Sequence, residues 1–175
     1  MNPQEFIFKI MVIGDPNVGK TSIIHRYVEN VFFDSYAPTL GVDFLKKSLK
    51  LANITVTYFL WDVAGQSKYA SFKNFYYSGS DFIIIIFDIT NINSFQHMDR
   101  WIIDALEILG DKIEFAIFAN KTDLEDQRKV FDYDKFGNYD RLFEFVETSA
   151  KTGKNVFEIF ARIAKYLLKK KGFIG

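Results

Sequence analysis

The chain has 175 residues, of which 49% are apolar and 25% are charged, a composition typical of a globular domain and unlike that of a disordered chain. Basic and acidic residues number 22 each, so the net charge is zero and a general electrostatic nucleic-acid binder, which needs a basic excess, is not expected. The chain contains no cysteine, which excludes disulfides, thiolate metal sites and a cysteine nucleophile.

Strand and helix signals alternate along the whole chain. Apolar runs predict strands over residues 6–13, 44–51, 55–61, 82–87, 115–119 and 143–146. Apolar residues at helical spacing predict helices over residues 21–30, from Ser94 to Gly110, and onward from Asn155. This alternation predicts one domain spanning residues 1–175, with a three-layer α/β fold and a mostly parallel six-stranded sheet covered by helices on both faces. Ligands of such sheets bind at the carboxyl ends of the strands.

Two of the predicted helices have a clear start signal and a clear apolar stripe. Ser94 is the predicted N-cap of the first, whose buried face is Phe95, Met98, Ile102, Ala105, Leu106 and Leu109. Asn155, followed three residues later by Glu158, predicts the start of the last helix. Its predicted stripe is Val156, Ile159, Phe160, Ile163 and Leu167.

Residues 14–21 read GDPNVGKT and match the phosphate-binding pattern G-x-x-x-x-G-K-[ST] directly after the first strand. Glycines let the backbone wrap an anion with its N–H groups, and the following helix adds its positive end. Lys20 supplies a charge to the outer phosphates, and the Thr21 hydroxyl is a ligand for Mg²⁺. The alternative is a glycine turn before a surface helix. The residues expected to line the phosphates are Asp15, Asn17, Val18, Gly19, Lys20, Thr21 and Ser22.

Residues 62–66 read DVAGQ and follow the strand that ends at Trp61. An acid at a strand end can hold Mg²⁺, usually through water, which is the predicted role of Asp62. Gly65 can offer its N–H to a terminal phosphate without side-chain obstruction, and Gln66 can position a water molecule. A plain turn remains the alternative for this short pattern.

Two further segments predict guanine recognition. Residues 120–123 read NKTD after a strand, and the Asp123 carboxylate can accept bonds from N1 and the exocyclic N2 of guanine, a donor pair that adenine lacks. Residues 148–151 read TSAK after the last strand, where the Ala150 N–H would face guanine O6 with Ser149 and Lys151 supporting the loop. The alternatives are a polar turn and a helix lead-in.

The ordered motifs GDPNVGKT, YAPT, WDVAGQ, NKTD and ETSAK resemble those of the Ras superfamily of small GTPases. The segments TLGVDF, YYSGS and IFDIT are similar to the Rab branch. The resemblance implies a Mg²⁺-dependent GTP/GDP switch that hydrolyses GTP slowly and binds effectors in its GTP state, in membrane trafficking. It also implies an exchange factor and a GTPase-activating protein as partners, and a monomer. The open alternative is a catalytically weak guanine-nucleotide-binding adaptor.

The resemblance also implies roles for particular residues. Thr39 matches the threonine that reaches Mg²⁺ and the γ-phosphate only in the GTP state, and Tyr36 lies in the same nucleotide-contacting segment. Phe32 matches the aromatic that packs on the guanine face. The implied catalytic set is Gln66, Lys20, Thr39 and Gly65, the metal set is Thr21, Thr39 and Asp62, and the base set includes Asn120 and Lys121. Effectors would meet an aromatic triad of Phe44, Trp61 and Tyr76.

The sequence also departs from the family pattern. Pro16 stands where a glycine is common, Val63 replaces a threonine, and Ser67 replaces a glutamate, which bears on hydrolysis and nucleotide exchange. The two histidines, His25 and His97, are expected to lie in helices without partners, and no catalytic role is expected for them. No membrane helix, signal peptide or lipidated cysteine is indicated, so a cytoplasmic protein without an encoded lipid anchor is expected.

Overall fold

A computed structural model describes residues 4–33, 39, 41–63 and 73–173. The strands are β1 (Gln4–Ile13), β2 (Val42–Leu51), β3 (Ile54–Val63), β4 (Phe82–Asp88), β5 (Phe115–Asn120) and β6 (Leu142–Glu147). They form one sheet in the order β2-β3-β1-β4-β5-β6. β2 pairs antiparallel with β3, and every other pairing is parallel. The carboxyl ends of β1, β3, β4, β5 and β6 therefore meet at one edge.

Helices cover both faces of the sheet. They are α1 (Lys20–Glu29), α2 (Lys73–Tyr77), α3 (Ile92–Gln96), α4 (Met98–Leu109) and α5 (Val156–Lys170). Two short 3₁₀ helices, Thr122–Gln127 and Asp134–Asn138, lie in the connection between β5 and β6. Among the helices of the described ranges, none is both long enough and apolar enough to cross a membrane.

Alternation along the strands sends side chains into two separate cores. Phe8, Ile10 and Val12 of β1 pack on one face of the sheet with apolar residues of α1 and α5. Met11 and Ile13 pack on the other face with apolar residues of α4. Because β1 and β4 are buried on both faces, they read as nearly continuous apolar runs. The predicted three-layer α/β fold with a mostly parallel six-stranded sheet is confirmed.

The helix predicted from Ser94 is wrong at its start. The chain forms two helices here, α3 and α4, with His97 between them. The N-cap of α3 is Asn91, whose side chain accepts a bond from the Asn93 N–H at 3.1 Å. Ser94 lies inside α3, where its hydroxyl donates to the Asn91 carbonyl at 2.8 Å. The predicted end at Gly110 is confirmed, and its positive φ of 82° favours glycine.

The last helix begins where the sequence predicts, but Asn155 does not cap it in the expected way. Asn155 occupies the N-cap position of α5 in a left-handed conformation, without a side-chain bond to the first turn. Its amide instead donates to the Glu147 carbonyl at 2.8 Å, which ties the helix start to the end of β6. The predicted apolar stripe of α5 is buried along its whole length.

Candidate functional site

The loop after β1, residues 14–19, packs closely against the neighbouring strands at its two glycines. Gly14 has a φ of 138°, and a Cβ there would lie 2.2 Å from the Ile86 carbonyl oxygen. Gly19 has a φ of 96°, and a Cβ there would lie 2.3 Å from the Asn120 side-chain nitrogen. Both positions therefore require glycine, and the loop is held against β4 and β5 as a phosphate cradle requires.

Pro16 lies in a turn of this loop. It is followed by Asn17, which has a φ of 67°. Proline followed by a residue with positive φ is the sequence pattern of a type II turn, in which the proline position needs no N–H donor. The departure at Pro16 is thus compatible with the cradle.

Lys20 is buried at the centre of the loop, with 6% of its surface exposed. Its ammonium group donates to the carbonyls of Gly14 at 3.0 Å and Asp15 at 2.8 Å. Burial lowers the pKa of Lys20 to about 8, while the charges of Asp62 and Asp15 oppose that shift. The ammonium group is thus held inside the loop, where the negative charge of a phosphate would offset the cost of burying its positive charge.

Three side-chain oxygens from different segments converge beside Lys20. The Thr21 hydroxyl lies 2.9 Å from the Thr39 hydroxyl and donates to Oδ2 of Asp62. Thr39 also donates to the same carboxylate oxygen at 3.2 Å. The cluster joins the first turn of α1, the segment before β2 and the end of β3. Hydroxyl and carboxylate oxygens are the ligands that Mg²⁺ prefers.

Asp62 supplies an independent sign that this cluster fits a cation. Within the described residues, its Oδ1 is buried and has no hydrogen-bond partner. Burial raises the pKa of Asp62, although the bond from Thr21 and the charge of Lys20 act in the opposite direction. A buried carboxylate oxygen without a partner is costly, and a divalent cation or its water would satisfy it. The residues present therefore fit Mg²⁺.

Asn120, at the end of β5, links the three predicted nucleotide loops. It is 1% exposed. Its amide nitrogen donates to the Val18 carbonyl at 2.9 Å, and its amide oxygen accepts from the Ala150 N–H at 3.1 Å. Guanine O6 would therefore share the Ala150 donor with Asn120. Asn120 acts as a brace between the phosphate loop and the predicted base loops.

The Asp123 carboxylate is oriented by the loop after β6. The Ser149 hydroxyl donates to Oδ1 of Asp123 at 2.6 Å. Ser149 is fully buried, and its hydroxyl in turn accepts from the Thr152 N–H at 3.1 Å. These two bonds hold the Asp123 carboxylate in one orientation.

Lys121 has a partner that sequence reasoning missed. Its backbone is left-handed, with a φ of 70°, and its ammonium lies 2.7 Å from Oδ2 of Asp88 at the end of β4. Asp88 also accepts from Thr90 through both the backbone N–H and the hydroxyl. The ion pair holds the Lys121 side chain along the edge where the strands end.

The remaining residues predicted to contact the nucleotide differ in how far they are buried. Phe32 is partly buried and packs against the core beneath α1 and α5. Val18 is buried, Ser22 lies in the first turn of α1, and Lys151 is exposed. Tyr36, Gly65 and Gln66 lie outside the described residues.

The predicted aromatic triad contains two rings in contact. Phe44 is 59% exposed and stacks on Trp61 with ring centroids 5.7 Å apart. The Lys9 ammonium lies 4.1 Å above the Trp61 ring and donates to the Tyr76 carbonyl at 2.6 Å. Lys9 therefore connects Trp61 to the end of α2, a link that the sequence does not reveal.

Both histidines have partners, so the expectation that they lack them is wrong. His25 contacts Glu29 at 2.8 Å on α1. His97 lies 2.7 Å from Oδ2 of Asp15 in the phosphate loop, and Oδ1 of the same carboxylate accepts from the Trp101 indole. The Asp15 side chain is therefore engaged by the α3–α4 region, and a phosphate at this position would be contacted by the backbone N–H instead.

Comparison with known proteins agrees with this geometry. The sequence model of the Ras family matches residues 9–169. The Ras-related protein Rab-1 of Theileria annulata is 37% identical over 172 residues, an alignment covering 97% of this chain and 78% of that protein.

Proposed function

This chain belongs to the Ras family of small GTPases, on its Rab branch, and we propose that it is a slow GTP-hydrolysing switch that binds effectors in its GTP state. As a member of that family it binds GTP and GDP with Mg²⁺ and hydrolyses GTP to GDP and phosphate. The proposal assigns residues to these steps and places the switch in membrane trafficking. The observation that carries it is the convergence of Thr21, Thr39 and Asp62 beside the buried Lys20. Asn120 connects the loop that contains Val18 to the predicted base loop at Ala150.

Thr21 and Thr39 are the proposed direct ligands of Mg²⁺, and Asp62 is proposed to hold it through water. When bound, Mg²⁺ neutralises charge on the β- and γ-phosphate oxygens. Thr21 belongs to the first turn of α1 and is available in either nucleotide state. Thr39 precedes β2 in a segment that the γ-phosphate would hold only in the GTP state.

Lys20 is proposed to exchange its two loop carbonyls for the outer phosphate oxygens. Its burial makes this charge interaction stronger than it would be in water. The backbone N–H groups of residues 15 and 17–22 complete the cradle. Most charge stabilisation in the transition state would then come from Lys20 and the metal.

Gly65 and Gln66 are proposed to act on the γ-phosphate and on the attacking water. The Gly65 N–H would hold the phosphate, and the Gln66 amide would orient water in line with the bond that breaks. An amide is a poor base, so Gln66 contributes orientation and charge stabilisation rather than proton removal. None of the site motifs contains an arginine. We therefore expect intrinsic turnover on the order of 10⁻⁴ to 10⁻³ s⁻¹, as for Ras-type sites without an arginine finger.

Guanine is proposed to bind between the loops after β5 and β6. Asp123 would accept from N1 and N2, and O6 would share the Ala150 donor with Asn120. Phe32 would cover one face of the base. The relay through Ser149 supports this assignment because it holds the Asp123 carboxylate in one orientation.

Effectors are proposed to dock on Phe44, Trp61 and Tyr76 together with the segments 33–40 and 63–77 that respond to the γ-phosphate. The exposed Phe44 ring supports this role, since aromatic anchors dominate binding energy in protein interfaces. We further propose that residues 1–175 form one monomeric domain served by an exchange factor and a GTPase-activating protein.

Nucleotide preference tests the proposed base site. Asp123→Asn should weaken GDP binding and strengthen xanthosine diphosphate binding, because xanthine presents an acceptor where guanine presents the N2 donor. Asp126→Asn is the matched control, since Asp126 is exposed in the same 3₁₀ helix. Displacement of a fluorescent nucleotide gives both affinities. Equal binding of ADP and GDP by the unmutated protein would contradict the proposal.

A further inference from the structure

Arg26 lies in the last turn of α1, and all three nitrogens of its guanidinium group donate hydrogen bonds within the protein. Its Nε donates to the Ala150 carbonyl at 2.7 Å, and Nη2 donates to the Lys151 carbonyl at 2.7 Å. Nη1 donates to the backbone and side-chain oxygens of Asn30, both at 3.1 Å. One side chain therefore connects the end of α1 with the loop after β6.

The bonds to Ala150 and Lys151 fix the orientation of two successive peptide groups. A peptide group is planar, and its C=O and N–H point in opposite directions. With its carbonyl turned to Arg26, the peptide that joins Ala150 to Lys151 turns its N–H away from Arg26. The Ala150 N–H is meanwhile held by Asn120 at 3.1 Å. The loop is thus restrained from both sides at the residue next to the predicted guanine O6.

The bonds to Asn30 restrain the other end of the link. Asn30 is the C-cap of α1, in a left-handed conformation with a φ of 56°. Helix ends leave carbonyl groups without intrahelical partners, and Arg26 supplies a charged donor to one of them. Phe32 follows Asn30 by two residues. The segment that leads to the proposed base-covering ring therefore begins at a residue bound by the same guanidinium as the base loop.

We propose that Arg26 is a positioning residue that fixes the Ala150–Lys151 loop for guanine and thereby slows nucleotide release. The planar guanidinium holds two carbonyls at once, a geometry that a lysine ammonium does not reproduce. A loop already ordered before binding loses less entropy on binding, so nucleotide is held more tightly. This inference rests on the proposed guanine site.

The test compares GDP with a diphosphate that lacks the atom the loop would read. GDP carries O6 and an N1–H, and 2-aminopurine riboside diphosphate lacks both while keeping the N2 amine. We expect Arg26→Ala to release GDP about tenfold faster and to change release of the 2-aminopurine nucleotide less than about twofold. The GDP release rate of Arg26→Lys should lie between those of Arg26→Ala and the unmutated protein. If Arg26→Ala does not fold, the comparison is made with Arg26→Lys alone.

Arg162→Ala is the matched control. Arg162 makes two guanidinium bonds to Glu144, at 2.9 and 2.7 Å, away from the base loops. Its removal should change neither release rate. Unchanged GDP release in both Arg26 variants, or equal acceleration of both nucleotides, would overturn the inference while leaving the proposed function in place. If the unmutated protein released both nucleotides equally fast, the proposed O6 contact and this inference would both be wrong.

Discussion

The indole N–H of Trp101, on α4, donates to the carboxylate of Asp15 in the phosphate loop at 2.8 Å. His97 lies 2.7 Å from the second oxygen of the same carboxylate. Both contacts draw the acidic group toward the helices that cover the sheet. An acid in the phosphate loop would repel the nucleotide, and this arrangement directs its charge to donors outside the cradle.

Removing the indole donor should therefore weaken nucleotide binding through Asp15. We expect Trp101→Phe, which keeps an aromatic ring, to reduce GDP affinity about fivefold, close to 1 kcal/mol. In an Asp15→Asn background the same change should have little effect, because no repelling charge remains. A double-mutant cycle of GDP affinities measures this coupling. Independent, additive effects of the two changes would contradict the explanation.

Two buried tyrosines provide a matched test of stability. The Tyr58 hydroxyl donates to the Phe160 carbonyl at 2.9 Å and joins β3 to α5. The Tyr77 hydroxyl is buried without a hydrogen-bond partner among the described residues. Tyr58→Phe should lower the free energy of unfolding by about 1 kcal/mol, and Tyr77→Phe should leave it unchanged or raise it. Urea unfolding of the GDP-bound proteins gives both values, and equal losses would refute the prediction.

The proposed metal ligands should differ in their dependence on nucleotide state. Thr21→Ala should raise the Mg²⁺ concentration needed to retain either GDP or a non-hydrolysable GTP analogue, by about tenfold or more. Thr39→Ala should do so for the GTP analogue alone, because we propose that the γ-phosphate holds the Thr39 segment at the metal and that GDP does not. Nucleotide release measured against Mg²⁺ concentration separates the two effects. A Thr39→Ala effect of the same size with GDP would rule out the state-dependent role.

Local signals predicted much of the fold. The buried runs of β1 and β4 and the apolar stripe of α5 carry their periodicity in consecutive residues, and the glycines of the phosphate loop stand in a recognisable pattern. The predicted N-cap at Ser94 was wrong because a serine before an apolar stripe has the same sequence pattern as a true N-cap. The chain instead starts a separate short helix at Asn91 and uses Ser94 to hold its first turn.

The contacts that sequence reasoning missed are long-range. Arg26 reaches Ala150 across 124 positions, and Trp101 reaches Asp15 across 86. No local pattern marks an arginine in a helix or a tryptophan on an apolar face as a partner of a distant loop. Such pairs become visible only when the sheet brings the ends of its strands together. The same holds for Lys9, which lies within a strand yet joins Trp61 to α2.

Single-turnover hydrolysis of GTP tests the central claim most directly. Gln66→Leu should hydrolyse GTP at least tenfold more slowly than the unmutated protein while retaining its GTP affinity, because the lost interaction belongs to the transition state. Gln127→Leu, at an exposed position of a 3₁₀ helix, should hydrolyse GTP at the unmutated rate. Hydrolysis by Gln66→Leu as fast as by the unmutated protein would contradict the account, since Gln66 could not then be the residue that positions water.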